Sequence, residues 1–283
     1  MTETNPHELR DLIRLALRED IGDGDHSSLS CVPETATKRA RLLVKQAGVL
    51  AGVEVALVVF DEVDPALKVE VKIQDGARIE VGDIVLTVEG SARSILQAER
   101  LMLNIMQRMS GIATYTRSMV DLIADLPVKL LDTRKTTPNF RLFEKMATRI
   151  GGAHNHRMGL YDMIMLKDNH LDYAGGIQAA LVRAHQYLEK TGRDLKIEIE
   201  TRNLGEVDEV LRLGGADIVM LDNFSLEDMR EAVRKIGGRI ETEASGNINE
   251  TTLRAVAETG VDSISSGALT HQIKSLDLSL KAF

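Results

Sequence analysis

Beyond Pro127, short apolar runs alternate with helical segments, and this alternation limits the fold more than any other feature of the chain. The runs are VKLL (128–131), MIML (163–166), KIEIE (196–200), DIVML (217–221), RIETE (239–243) and DSIS (262–265). Helical patterns lie between or after them, near 140–150, 175–190, 204–213, 226–235 and 250–258. Alternating β and α units imply a parallel sheet with helical crossovers. The residues after each run read DTRK, KDNH, TRN, DN, ASGN and SG. Polar, charged and glycine residues thus collect at C-terminal strand ends, where α/β barrels build their sites. Six units predict a barrel with fewer strands than the usual eight, or an open one. A doubly wound sheet is the competing arrangement, but no GxGxxG follows the first run.

The upstream half is organised differently. Leu9, Leu12, Ile13, Ala16 and Leu17 predict an amphipathic helix over 6–19, stopped by the turn DIGDGD at 20–25. RLLV (41–44), VLAGV (49–53), KVEVKI (68–73) and DIVLTV (83–88) read as strands, with a helix over 53–63. The alternation in KVEVKI suggests a sheet with one wet face, hence a small open-faced α+β domain. A Met-rich helix over 91–114, with Ser91 as its cap, and a second helix near 114–125 lead to Pro127.

A formal net charge of −8 argues against a nucleic-acid or membrane-surface protein. The longest apolar run, 48–60, carries Glu54 and is shorter than the ~20 residues of a membrane span. No secretory signal opens the chain, and the single cysteine, Cys31, suits a reducing cytoplasm as a buried or inert thiol.

Against the acidic total, one stretch is strongly basic. Arg134, Lys135, His156, Arg157 and Lys167 cluster around the first two apolar runs and suit a ligand with more than one carboxylate. A solvated basic face paired with Asp132, Asp162 and Asp168 is the plainer alternative, and Lys167 at a strand end is also a candidate Schiff-base lysine of an aldolase-type barrel. Glu200 and Asp222 end two successive strands and could hold Mg²⁺, directly or through water, or offset positive charge on a sugar carbon. They could equally cap helices or pair with Arg202. ASGN (244–247) and SSGA (265–268) follow the last two strands, where small residues let backbone N–H groups approach a phosphate. Arg100, beside Glu99, reads as a surface ion pair. A non-catalytic anion-binding protein fits the same residues.

LLDTRKTTP (130–138), NHRMGLYDMIMLKDNH (155–170), IEIE (197–200), MLDN (220–223), EASGNI (243–248) and VDSISSGALTH (261–271) closely resemble the quinolinate phosphoribosyltransferases. EDIGDGD (19–25) and AERLMLN (98–104) extend the resemblance to essentially the whole chain. It implies an N-terminal open-faced α/β sandwich over 1–111, an incomplete α/β barrel over 112–269 and a segment, 270–283, that returns to the first domain. It also implies a homodimer or larger assembly in which Arg100 is supplied across the interface. Arg134, Lys135, His156, Arg157 and Lys167 would grip the two carboxylates of quinolinate. Glu200 and Asp222 would face the ribose and Mg²⁺ of phosphoribosyl pyrophosphate, with Lys135 and Lys167 counted beside them in catalysis. Ser245, Gly246, Asn247, Ser265, Ser266 and Gly267 would hold the 5-phosphate. Asn139 stands where the family commonly has glycine, and so does Asn247. Asparagine tolerates the left-handed backbone that glycine allows, so the phosphate loop is expected to survive.

Overall fold

The computed structural model describes residues 6–283, apart from the Pro6 side chain. In chain order the first elements are α1 (Pro6–Ile21), α2 (His26–Cys31), β1 (Thr37–Val44), β2 (Gly48–Val49), α3 (Val53–Val63), β3 (Lys68–Val71), β4 (Arg78–Ile79), β5 (Ile84–Ser91) and α4 (Ala92–Asp121). There follow β6 (Lys129–Leu131), α5 (Arg141–Ile150), β7 (Ile164–Leu166), α6 (Asp168–Ala174), α7 (Ile177–Thr191), β8 (Ile197–Thr201), α8 (Leu204–Leu213) and β9 (Ile218–Asp222). The chain closes with α9 (Leu226–Ile236), β10 (Glu241–Ser245), α10 (Leu253–Ala257), β11 (Ser263–Ser265), α11 (Ala268–His271) and β12 (Leu278–Ala282).

Two compact units result. Of the described residues, one comprises 6–117, 136–152 and 270–283; the other comprises 118–135 and 153–269. The first holds an antiparallel sheet in the order β12-β1-β5-β3. Its apolar face, with Leu42, Val44, Leu86 and Val88, packs with Phe60 of α3 and Met102, Met106 and Met109 of α4 into one core. Segment 136–152, which the sequence boundaries give to the barrel, belongs here. The reason is packing: Leu142, Phe143, Met146 and Ala147 of α5 join the same core. β12 pairs with β1 from Ala40↔Ala282 to Val44↔Leu278. The two helices expected over 91–125 are a single helix, α4, and Ser91 caps it by accepting the Ser94 N–H at 3.3 Å. The acidic turn is a cap as well: Asp25 accepts the Ser28 N–H at 3.1 Å and starts α2, a helix the sequence did not suggest. Of the two expectations for Cys31, burial does not hold: it is exposed, and its thiol donates to the Ser27 carbonyl at 3.1 Å.

The second unit has six parallel strands in the order β6-β11-β10-β9-β8-β7. Each strand from β7 to β11 neighbours the next in sequence, as in a barrel, but β6 and β7 do not pair and the wall stays open there. All six runs read from the sequence are strands. Among the described residues, no helix is long and apolar enough to cross a membrane.

Candidate active site

Register decides which side chains share a face in the second unit. Parallel pairing sets Glu200 and Glu243 level with Met220, and Asp222 level with Ser245. Side chains alternate along a strand, so Glu198, Glu200, Glu243, Asp222 and Ser245 all project to one side. That side is the concave one, because Glu198 of β8 and Glu243 of β10 meet at one atom although β9 lies between their strands. The alternate residues Ile197, Ile199, Val219 and Leu221 are buried on the opposite face.

Glu200 and Asp222 therefore stand at the C-terminal ends of neighbouring strands, facing the same concavity. Leu166 pairs with Ile199, which sets Lys167 opposite Glu200, and Lys167 Nζ reaches Glu200 Oε2 at 2.9 Å. The lysine side chain is 46% exposed and the glutamate 9%, so the lysine reaches from the rim to a buried carboxylate. Lys167 also begins α6, where its own backbone N–H donates to His170 Nδ1 at 2.9 Å. His170 thus caps a helix rather than facing a ligand. Asp222 accepts from Asn223 Nδ2 at 2.8 Å.

The basic side is built by the loop after β6 and the segment 155–157. Asp132 is fully buried; its carboxylate accepts the His156 N–H at 2.9 Å and Asn155 Nδ2 at 2.6 Å. Arg157 lies close enough to Arg134 for repulsion to matter: burial first, and then Arg134, push its guanidinium below its ordinary value. Two guanidinium groups held together in this way favour an anion between them. Lys135 is exposed on the same loop.

His156 departs from the role the resemblance implies for it. Its side chain is 6% exposed, and Nε2 lies 3.1 Å from Glu198 Oε2 and 3.2 Å from Glu243 Oε2. Its other nitrogen, Nδ1, accepts the Arg157 N–H at 2.7 Å. With Nε2 beside two carboxylates and Nδ1 accepting from Arg157, both ring nitrogens already face protein groups in this structure. Burial opposes a charged ring and the two carboxylates favour one, which pushes its titration up; a proton on Nδ1, however, would face the Arg157 N–H at 2.7 Å, so the geometry holds the ring neutral with its one proton on Nε2. Burial pushes Glu198 up as well. Reasoning from sequence missed Glu198 and Glu243, although IEIE puts Glu198 on the same face as Glu200 and ETE repeats the pattern.

The loops after β10 and β11 close the ring of strand ends. Asn223, Gly246 and Asn247 all have positive φ, at 54°, 102° and 52°. A Cβ at Gly246 would overlap the Asn223 side-chain oxygen. Asn247 Nδ2 donates to that oxygen at 3.2 Å. Asn247 and Asn139 (φ 60°) do adopt the left-handed backbone for which glycine is commonly used. Ser266 Oγ donates to the Ile248 carbonyl at 2.8 Å, tying the two loops together, and Ser265 is buried at the end of β11. A separate cavity of about 740 Å³ lies beside β7, lined mainly by apolar residues such as Leu160, Tyr161 and Met163; of the expected site residues only Arg157 borders it.

Comparison with known proteins covers nearly the whole chain. The family "Quinolinate phosphoribosyl transferase, C-terminal domain" matches residues 112–281, and its N-terminal counterpart matches 25–110. The chain belongs to the quinolinate phosphoribosyltransferase family. It is 46% identical to quinolinate phosphoribosyltransferase [decarboxylating] 1b of Nicotiana tabacum, over 97% of this chain and 82% of that protein. To a probable nicotinate-nucleotide pyrophosphorylase [carboxylating] of Synechocystis it is 42% identical, over 94% of this chain and 89% of the relative. The crystal structure of NadC from Streptococcus pyogenes superposes with a TM-score of 0.92 at 41% identity, covering 100% of both chains. The nicotinate-nucleotide pyrophosphorylase of Francisella tularensis gives 0.92 at 39% identity, covering 99% of this chain and 98% of that one. The α/β architecture of this family, an N-terminal antiparallel sheet domain followed by a parallel α/β domain, is the one described above.

Proposed function

We infer that the concave strand ends of the second unit carry out the family's reaction: transfer of phosphoribosyl from phosphoribosyl pyrophosphate to quinolinate, with decarboxylation, giving nicotinate mononucleotide, pyrophosphate and CO₂ for NAD synthesis. The observation that carries this reading is the row Lys167–Glu200–Asp222–Ser245 along four neighbouring strand ends, beside the Arg134–Arg157 pair.

The chemistry needs little covalent help. Departure of pyrophosphate leaves positive charge on the ribose carbon, which Glu200 and Asp222 offset from the concave face. Arg134, Lys135, Arg157 and Lys167 hold the two carboxylates of quinolinate, so that the pyridine nitrogen meets that carbon. The new pyridinium accepts the electron pair released when the adjacent carboxylate leaves as CO₂, and the ring carbon then takes up a proton. Ser245, Gly246 and Asn247, with Ser265, Ser266 and Gly267, form the 5-phosphate end.

Two neighbouring carboxylates on one face suit a hard dication that binds few protein ligands and keeps its phosphates and waters. Glu200 and Asp222 would hold Mg²⁺, which neutralises the charge of the pyrophosphate. Arg100 is exposed on α4 with no hydrogen bond or ion pair among the described residues, Glu99 included. Its role is to complete the quinolinate pocket of a second copy in a homodimer or larger assembly. A reducing compartment such as the cytoplasm suits the lone Cys31.

Incubation with quinolinate, phosphoribosyl pyrophosphate and Mg²⁺ tests the reading; it is wrong if neither nicotinate mononucleotide nor CO₂ forms. Mixing Arg100→Ala with Lys167→Ala chains tests the assembly, since hybrid dimers regain one intact site and activity above either parent. The aldolase alternative loses its ground: Lys167 is ion-paired at the rim, not desolvated among apolar groups.

A further inference from the structure

Nothing in the reaction above accounts for Glu198 and Glu243. Both lie inside the barrel, with side chains 0% and 1% exposed. Burying carboxylates is costly, and a fold that only needed to fill this space would do better with hydrocarbon. What they contact is His156, and His156 contacts Arg157. We propose that Glu198 and Glu243 are positioning residues that clamp the His156 ring from below and, through it, fix Arg157 in the quinolinate pocket. The proposal rests on the reading of Arg157 as a carboxylate-binding residue.

The clamp has two jaws. Above, Asp132 holds the backbone N–H of His156 at 2.9 Å and the Asn155 side chain at 2.6 Å. Below, Nε2 lies between two carboxylate oxygens at 3.1 and 3.2 Å, within reach of their charge though aimed at neither as a hydrogen bond. Two acceptors on that side favour the ring orientation that turns Nε2 toward them and Nδ1 toward the Arg157 N–H, which it accepts at 2.7 Å. The arginine backbone is thereby anchored one residue from the ring, and Arg157 Nη1 donates to the Met163 carbonyl at 3.3 Å. A strand-borne glutamate therefore acts on the pocket without touching the ligand.

The same three side chains have the donor types of a metal site, their ligand atoms lying within 4.8 Å of one another. The Arg157 N–H decides against one. Because Nδ1 is already an acceptor, the ring proton sits on Nε2, and a metal would need the lone pair there.

The test uses full-length Glu198→Gln and Glu243→Gln proteins, with Glu243→Asp as a milder variant should either fail to fold. Calorimetric titration with quinolinate alone is expected to show Kd raised about tenfold or more, while KM for phosphoribosyl pyrophosphate stays within about twofold. In a ¹H–¹⁵N ring spectrum of histidine-labelled protein, the signal lost in His156→Asn should report a protonated Nε2 and an acceptor Nδ1, and should move in the glutamate variants. Folded variants that bind quinolinate as tightly as the natural chain overturn the proposal. So does an unprotonated Nε2, or one equivalent of metal that Glu243→Gln loses. If the natural chain binds no quinolinate, the functional reading falls, and the ring spectrum alone judges the clamp.

Discussion

Each unit buries glutamate, and the two do so in opposite ways. Glu144, in the first unit, is fully buried and fully used: Oε1 accepts from Arg108 Nη2 at 2.9 Å and Thr137 Oγ1 at 2.9 Å, and Oε2 accepts the Thr137 N–H at 3.1 Å. In the second unit, both Glu198 oxygens and Glu243 Oε1 make no hydrogen bond among the described residues, and Glu198 Oε2 is engaged only by charge, 3.1 Å from His156 Nε2. A carboxylate that serves the fold is saturated, because each lone pair left unpaired in low dielectric costs stability. A carboxylate left with open lone pairs is tolerated where it holds another group in place.

The strongest way to break this contrast is Arg108→Ala. It strips a buried carboxylate of its counter-charge and is expected to cost about 3–5 kcal/mol of stability, read as a lower denaturation midpoint with KM values unchanged in the surviving fold. A loss under about 1 kcal/mol would show that saturation is not what holds Glu144 in place. Next in size is Glu200→Gln, which should lower turnover about 10²–10³-fold, comparable to losing one charge-stabilising group. Its Tm should stay near that of the natural chain, since the amide fills the same space and the one partner it loses, Lys167, is 46% exposed to water. Equal losses of activity and stability would erase the distinction between the two units.

Smallest is Asn247→Gly. It restores the residue common in the family at φ 52° and should change KM for phosphoribosyl pyrophosphate by less than about twofold. Gly246→Ala, which collides with Asn223, should raise it well beyond that.

Much of the fold was written locally. Short apolar runs and the polar residues after them placed all six barrel strands, and the DTRKTTP and NHR-to-KDNH blocks pointed to the family before any geometry. Positions 139 and 247 could also be read, because asparagine tolerates positive φ. Capping was less legible: Asp25 looked like part of a loop, and nothing marked His170 as the acceptor that caps α6, since a cap depends on one hydrogen bond that composition does not reveal.

What the chain alone determined was which residues alternate and which chemistry they carry. Only the tertiary structure decided that α4 runs unbroken, that the returning segment pairs as β12 with β1, and that the barrel's opening falls between β6 and β7. It alone brought Glu198 and Glu243 to one imidazole. Alternation says that two residues share a face, but not that the face is concave. Contacts across non-neighbouring strands depend on curvature and register, which are properties of the assembled sheet and not of any one segment.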